Sequence, residues 1–306
     1  MQTGSKSSSK DASRTRVLVT GAAGDTGRPA VARLLEKGFQ VRAFVRKDDA
    51  RAQNLRSLGA EVWLGDLSSL RDVRLALKDV QRAYFCCGIG EGLVENAAIF
   101  AQAASEHQLE LIVNMSHKQS RPNARSKVTQ DHWLSEQIFD RSNVPSVHLR
   151  PTFFAEWLLY ISDLIRYGRY IMPFNRESRF APIAAADIAK IIAGIVEKPE
   201  AYVGKALQLH GPIEYSHEEL AAEVGRVLGK DLVFEQVTAS VFLETLGIPT
   251  ATVLRKHFEA VAIDQQEGLI AGLDTVGQEI IGGPLMTVEA FVVANRPAFE
   301  LNYPLA

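Results

Sequence analysis

The chain is 306 residues long and 46% hydrophobic, enough to bury a substantial core, either as one large α/β domain or as a nucleotide domain with a smaller cap. Its 34 Lys and Arg against 36 Asp and Glu leave a formal charge of -2, which excludes a global field that would gather nucleic acid or anionic membrane. Partners are therefore expected among small molecules and other proteins, a homodimer or a regulatory partner included, and there is no run of roughly eighteen apolar residues to predict a membrane span.

Residues 1–15, rich in Ser, Lys and Thr, lack the apolar stretch of a signal peptide and are expected to form a mobile leader outside the fold. From Arg16 onward, short apolar runs alternate with helical periods. Strands are expected at 17–20, 41–45, 62–64, 83–87, 111–115 and 146–149. Between them, apolar residues recur at three- and four-residue spacing, as in Val31, Leu34 and Leu35. This alternation implies βαβ crossovers, so residues 16–150 are expected to fold as an α/β, Rossmann-type, doubly wound parallel sheet. Past Arg150 the regularity weakens to a helix at 154–166, the run Tyr170-Ile171-Met172-Pro173-Phe174, a helix at 186–196, a strand near 206–210 and a helix at 217–228. Residues 151–306 are expected to be a smaller C-terminal α/β cap, partly continuous with the first domain and closing one side of a cleft.

The first strand runs directly into Gly21-Ala22-Ala23-Gly24-Asp25-Thr26-Gly27, with helical character from Thr26 through Leu35. The first glycine permits a tight turn, the second lets backbone approach a pyrophosphate, and the third lets the helix pack close to the strand. The helix N-terminus then offers its N–H groups to the phosphates. Gly21, Ala23, Gly24, Asp25, Thr26 and Gly27 are thus candidate cofactor contacts, against the plainer reading of a structural glycine loop. At the end of the second strand an NAD-selective site offers a carboxylate to the ribose, whereas this chain reads Phe44-Val45-Arg46-Lys47. Arg46 can grip a 2′-phosphate bidentately and Lys47 adds a point charge, so the expected cofactor is NADP(H), with two solvated loop charges as the alternative.

Gly65-Asp66-Leu67 closes the third strand, where Asp66 can accept from an adenine amino group and Leu67 can flank the ring; capping of a helix at 68–77 is the other role open to Asp66. Cys86-Cys87-Gly88 closes the fourth, where small residues let a cofactor lie across the strand ends. These adjacent residues are the only two cysteines, and neighbours in a strand point to opposite faces. No disulfide framework is available, a reducing cytoplasmic setting is expected, and both thiols read as packing.

Val19-Thr20-Gly21-Ala22-Ala23-Gly24-Asp25-Thr26-Gly27, Val41 to Arg46, Gly65-Asp66-Leu67, His132-x-x-x-Glu136, Leu149-Arg150-Pro151-Thr152-x-Phe154 and Ala186-Asp187-Ile188-Ala189 together resemble the NmrA-like group of atypical short-chain dehydrogenases. The resemblance covers the chain from Arg16 to about Val237. It implies NADPH-dependent reductases of quinones, triarylmethane dyes and azo compounds, and also NADP-binding regulators without turnover. It also implies the Rossmann-type fold and an NADP(H) cofactor, while one such fold hosts many reactions.

Typical short-chain dehydrogenases use a Tyr-x-x-x-Lys pair as proton relay, and none of the seven tyrosines here has a lysine four residues later. His132 and Glu136 lie one helical turn apart, so the carboxylate can orient or charge the imidazole, with an ordinary helix-fixing pair as the alternative. Ser116, just past the fifth strand, stands where the superfamily often holds a hydroxyl that orients the substrate oxygen. Ser116 and His132 are the catalytic candidates, and His117 the first of the substrate contacts. Met115 before them, Lys118 after them, and Pro151 and Phe153 past the sixth strand complete the expected cofactor contacts. Phe154 and Trp157 supply apolar area for a substrate, although the stripe of Phe153, Phe154, Trp157, Leu158 and Tyr160 also suits core packing. Asp187 reads as a helix-start cap. No metal site is expected, since His217-Glu218-Glu219 lacks a second histidine at zinc spacing, and no Gly-x-Ser-x-Gly elbow is present.

The leading expectation is an NADP(H)-dependent oxidoreductase delivering hydride to a small planar or apolar acceptor of quinone, dye, enone or carbonyl type. A non-catalytic NADP(H)-sensing regulator and a biosynthetic enzyme with an atypical reaction stay open.

Overall fold

The computed structural model describes residues 15–88, 92–249 and 253–300, so the leader expected at 1–15 lies outside the described residues apart from Thr15. Two compact units emerge. The first takes the described residues up to His117 together with Asp131–Arg150 and Ala185–Leu207. The second takes Lys118–Gln130, Pro151–Ala184 and the residues from Gln208 onward. Neither unit is one continuous stretch.

In the first unit the strands are β1 (Arg16–Val19), β2 (Gln40–Val45), β3 (Glu61–Leu64), β4 (Arg82–Phe85), β5 (Leu111–Met115) and β6 (Ser146–Pro151). The helices between them are α1 (Gly27–Glu36), α2 (Ala50–Ser57), α3 (Leu70–Ala76), α4 (Leu93–Glu106) and α5 (Lys127–Asp140). Further along come α6 (Ala185–Glu197) and β7 (Ala206–Leu209). The sheet order is β3-β2-β1-β4-β5-β6-β7. The pairs from β3 through β6 are all parallel, with Val17 beside Val41 and Val19 beside Tyr84. Val17, Leu18 and Val19 are buried to within 1%, as a strand covered on both faces requires. From β1 the chain winds out to β3 and then returns to β4 on the other side of β1. That reversal is the switch point beside which open α/β sheets bind ligands at the carboxyl ends of their strands.

All six expected strands of the first region form, shifted by a residue or two. The strand expected near 206–210 in the cap instead extends the main sheet as β7. His148 N–H bonds to the Lys205 carbonyl at 2.9 Å and Thr152 N–H to the Leu209 carbonyl at 3.0 Å, so β6 and β7 advance in the same direction. Helix α6 packs on α1, and its isoleucines at 188, 191, 192 and 195 are fully buried. An apolar face that broad needs a partner, which is why 185–207 goes back to the first unit.

The second unit is built on two small sheets. Arg169–Met172 runs parallel to Val233–Gln236, and Arg179–Phe180 pairs antiparallel with Tyr215–Ser216. The helix His217–Leu228 starts on a capping box between Ser216 and Glu219 and stops at Gly229, whose φ of +69° suits a C-terminal glycine. The single helix expected at 154–166 is corrected to two short ones, Trp157–Tyr160 and Ser162–Arg166. Phe153 and Ala155 direct their backbone groups to Ile183 instead, with Ala155 N–H to the Ile183 carbonyl at 2.9 Å and Ile183 N–H to the Phe153 carbonyl at 3.0 Å. Ile161, at φ -106° and ψ 16°, interrupts what remains.

Candidate functional site

The glycine turn sits at the carboxyl end of β1. Gly21 has φ +60°, and a Cβ there would come 3.0 Å from the Cys86 carbonyl oxygen. At Gly27 a Cβ would fall 2.1 Å from the Gly21 carbonyl oxygen, so the first turn of α1 can fold back on the loop only without a side chain. Gly24 N–H closes the turn on the Gly21 carbonyl at 2.9 Å. Gly21, Gly24 and Asp25 are exposed and Ala23 half-buried, leaving an open backbone surface at a helix N-terminus, where an anionic group is favoured. Thr26 turns inward, its hydroxyl 2.8 Å from that of Tyr84. Thr26 therefore ties the turn to β4, and burial holds the Tyr84 phenol well above its ordinary range. Tyr84 had no sequence signal beyond being one residue of an apolar strand.

Arg46 and Lys47 follow β2 and are exposed. The carboxylates next to them are held elsewhere: Asp48 by Arg56 at 2.6 Å and Asp49 by Arg51 at 2.6 Å. Among the described residues neither Arg46 nor Lys47 forms an ion pair. Asp66, exposed after β3, accepts at one oxygen from Ser68 N–H at 2.9 Å and from the Ser68 hydroxyl at 2.8 Å. Those bonds, and then the nearby Arg46 charge, lower its pKa. The N-cap of α3 is Ser69, whose hydroxyl takes Asp72 N–H at 3.2 Å, so the helix-capping role considered for Asp66 falls to its neighbour. Leu67 is half-buried beside the core under α3 and α4. Cys86 and Cys87 are free, with Gly88 exposed after them. Thr20 fixes the Cys86 backbone by donating to its carbonyl at 3.0 Å and accepting its N–H at 2.8 Å, and burial raises the Cys86 thiol pKa.

At the end of β5, Met115 is 7% exposed and Ser116 4%. The Ser116 hydroxyl donates to Glu136 Oε1, which also accepts from Arg150 Nε at 2.8 Å, while Arg150 Nη2 reaches Oε2 at 2.5 Å. The buried Glu136 carboxylate, expected to orient or charge His132, has Arg150 on the neighbouring strand β6 as an ion-pair partner. Spacing along one helix cannot reveal a partner on a strand, so the Leu149-Arg150-Pro151 run carries no sequence signal for this role. His132 is buried and its ring stacks on half-buried His117, centroids 5.7 Å apart and planes at 30°. Another buried group, His148, lies 3.1 Å from the Asn114 amide through Nδ1 and 2.9 Å from Asp140 through Nε2.

The other expected contacts fall in the second unit. Lys118 N–H bonds to the Pro151 carbonyl at 3.2 Å, and its ammonium lies 2.7 Å from His210 Nε2. The far ring nitrogen of His210 meets Asp274. Burial lowers the Lys118 pKa, against the opposing charges of Asp274 and Glu214. Neither His210 nor Asp274 was singled out from the sequence. Phe153 packs on Phe174 and Phe180 at centroid distances of 5.1 and 5.7 Å, and Trp157 on Phe258 at 5.6 Å. Phe153, Phe154 and Trp157 stay half-buried and border, with Phe180, a space of about 10 Å³, no larger than one water needs. Asp187 sits inside the first turn of α6, bonded to Lys190 at 2.8 Å. His217 is buried between Tyr170 at 3.2 Å and Gln265 at 2.9 Å, and burial lowers it to about 4. Among the described residues no three His, Cys, Asp or Glu gather as metal ligands, and no helix is long and apolar enough to cross a membrane.

A doubly wound parallel sheet with a glycine turn at its switch point defines a Rossmann-type dinucleotide-binding fold. The NmrA-like family model matches residues 13–291, and the chain belongs to that family. A reductase of (4-alkanoyl-5-oxo-2,5-dihydrofuran-3-yl)methyl phosphate from Streptomyces griseus is 25% identical over 284 residues, covering 92% of this chain and 99% of the relative. An NADPH-dependent quinone oxidoreductase from Escherichia coli, solved with NADPH, superposes with a TM-score of 0.79 at 21% identity, over 92% of this chain and 99% of that one. The negative transcriptional regulator NmrA, solved with NADP, gives 0.77 at 15% identity, over 94% and 95%.

Proposed function

We propose that the protein is an NADP(H)-dependent oxidoreductase that delivers hydride to a small planar or apolar acceptor of the quinone, dye, enone or carbonyl type. The observation that carries this reading is the exposed Arg46-Lys47 pair after β2, beside aspartates already engaged by other arginines. A 2′-phosphate there meets a guanidinium suited to bidentate contact, whereas the 2′-hydroxyl of NAD would need an available carboxylate. The turn from Gly21 to Gly27 would take the pyrophosphate, Asp66 and Leu67 the adenine, and the Cys86–Gly88 and Met115 strand ends the rest of the cofactor. When bound, NADPH supplies the hydride; the protein's own residues orient the acceptor and manage its proton. The likeness to the two reductases over nearly the whole chain supports turnover. The two free thiols fit a reducing cytoplasmic setting.

Ser116 and His132 would position the acceptor. With its proton on Glu136, the Ser116 oxygen is an acceptor, so it suits a hydroxyl of the reduced product better than a substrate carbonyl. The second reading, an NADP(H)-sensing regulator acting through a protein partner, is favoured by the missing Tyr-x-x-x-Lys pair and by the likeness to NmrA. One experiment separates them: NADPH binding followed by nicotinamide fluorescence, then absorbance decay against a panel of quinones, dyes and enones. Turnover on any of them supports the reductase; tight binding with none on all of them supports the sensor.

A further inference from the structure

Lys118, His210 and Asp274, all within the second unit, form one hydrogen-bonded chain. Asp274 as a carboxylate only accepts, so the ring nitrogen facing it, His210 Nδ1, carries the proton. Nε2 is then the acceptor, and the Lys118 ammonium donates to it over 2.7 Å. The other Asp274 oxygen takes Val276 N–H at 3.2 Å, which fixes the carboxylate behind the ring. The His210 side chain is 4% exposed, whereas Lys118 is only half-buried, so the imidazole is shielded and the amine stays within reach of solvent. Gly272, with φ +123°, stands beside the junction. A Cβ there would lie 3.3 Å from His210 Nε2 and 3.9 Å from Lys118 Nζ, so the missing side chain leaves both nitrogens uncovered on that side. Gly272 N–H donates to Glu214 at 2.6 Å, which pins the glycine in place. A nucleophile bonded to an imidazole that a carboxylate orients has the connectivity of a nucleophile–base–orienter triad, with an amine in the place of a hydroxyl.

We propose that Lys118 is a covalent binding site for small neutral aldehydes, forming an imine with His210 as the proton shuttle and Asp274 as the positioning residue behind it. The site needs neither the cofactor nor the reductase reading. His210 Nε2 takes a proton from the Lys118 ammonium, leaving a neutral amine and an imidazolium held by Asp274. The amine lone pair forms the bond to the carbonyl carbon, the π pair of C=O moves to oxygen, and that oxygen takes the proton from His210 to give a carbinolamine. A second nitrogen proton then passes through His210 to the hydroxyl, which leaves as water while the nitrogen lone pair forms the C=N bond. One aldehyde and the Lys118 ammonium thus give a protonated imine and one water, with no oxidant or reductant. Burial lowers the Lys118 pKa, against the opposing charges of Asp274 and Glu214, and so increases the share of neutral amine. The groups facing Lys118 are His210, Asp274 and Glu214, the last paired with Arg179 at 3.0 Å. The two carboxylates disfavour an anionic reagent such as an acyl phosphate, whereas an uncharged carbonyl meets no such repulsion.

The test treats the full-length protein at neutral pH with propionaldehyde and excess cyanoborohydride, which traps each imine as a stable secondary amine. Mass-spectrometric peptide mapping over time then reads every lysine. Lys118 is expected to label about 100-fold faster than the median of the other lysines, the lower end of what positioned acid–base groups contribute. A wild-type rate within a few-fold of that median overturns the proposal. In Asp274→Asn the two explanations of a fast rate part in sign. Loss of the carboxylate lowers the Lys118 pKa further, so an amine made reactive by desolvation alone labels faster. A triad that has lost its orienting group labels about tenfold slower or worse. A faster or unchanged rate in an Asp274→Asn protein that circular dichroism shows to be folded overturns the proposal, and His210→Gln must slow the same lysine. With glyoxylate in place of propionaldehyde the preference for Lys118 should largely disappear; an equal preference overturns the assignment to neutral aldehydes.

Discussion

Arg150 holds both oxygens of the Glu136 carboxylate, Nε to Oε1 at 2.8 Å and Nη2 to Oε2 at 2.5 Å. Glu136 is 2% exposed in its side chain and Arg150 21%, so removing the guanidinium strands a buried charge. Arg150→Met is expected to destabilise the fold by about 3 kcal/mol, the lower end of what breaking a buried pair costs. Urea unfolding at neutral pH reads this, and an unchanged midpoint would mean that the pair does not stabilise the fold.

The contact between Gly27 and Gly21 leads to a binding prediction. With a Cβ 2.1 Å from a carbonyl oxygen, Gly27→Ala forces the glycine turn to move. NADPH affinity should fall by about tenfold or more, since displaced backbone donors no longer converge on the pyrophosphate. Fluorescence titration measures the loss, with circular dichroism to show that the sheet persists. Wild-type affinity in a folded Gly27→Ala protein would remove the turn from the site.

Arg46→Asp replaces the charge expected to meet a 2′-phosphate with one that accepts from a ribose hydroxyl. Loss of a charge-assisted bond worth about 1.5–3 kcal/mol should weaken NADPH by roughly 10- to 100-fold and raise the relative preference for NADH. The ratio of the two dissociation constants reports it. Unchanged NADPH affinity would show that Arg46 is a solvated loop charge.

Two buried histidines make stability depend on pH. Burial lowers His217 and His257 to about 4, below the value near 6.5 that each regains when unfolded. Between those limits the unfolded chain binds more protons than the folded one, so stability is full above about pH 6.5 and declines as pH falls toward about 4. Each group can remove a few kcal/mol over that window. Unfolding midpoints at pH 7 and 4.5 should differ by less in His217→Gln than in the wild type; an equal difference would exclude His217 as a source.

Much of the fold can be read from neighbouring residues. Apolar runs such as Val17-Leu18-Val19 mark buried parallel strands, and Gly21, Gly24 and Gly27 between strand and helix mark a turn whose close approach a Cβ would prevent. The capping box of Ser216 and Glu219 likewise lies within one turn. Where a segment has two local solutions, the packed structure chooses between them. The 154–166 stretch has a helical period, yet Phe153 and Ala155 bond to Ile183, and β7 follows β6 only after the intervening segments have gone elsewhere.

The chain's own alternation of strand, turn and helix decided the Rossmann-type class and the location of its glycine turn, because backbone sterics and periodicity act over a few residues. Tertiary structure alone decided two chemical pairings: Glu136 with Arg150 on a neighbouring strand, and Lys118 with His210 across 92 residues. Side-chain charges and hydrogen bonds take whatever partner the packed elements bring within about 3 Å, and no spacing in the sequence specifies which one arrives.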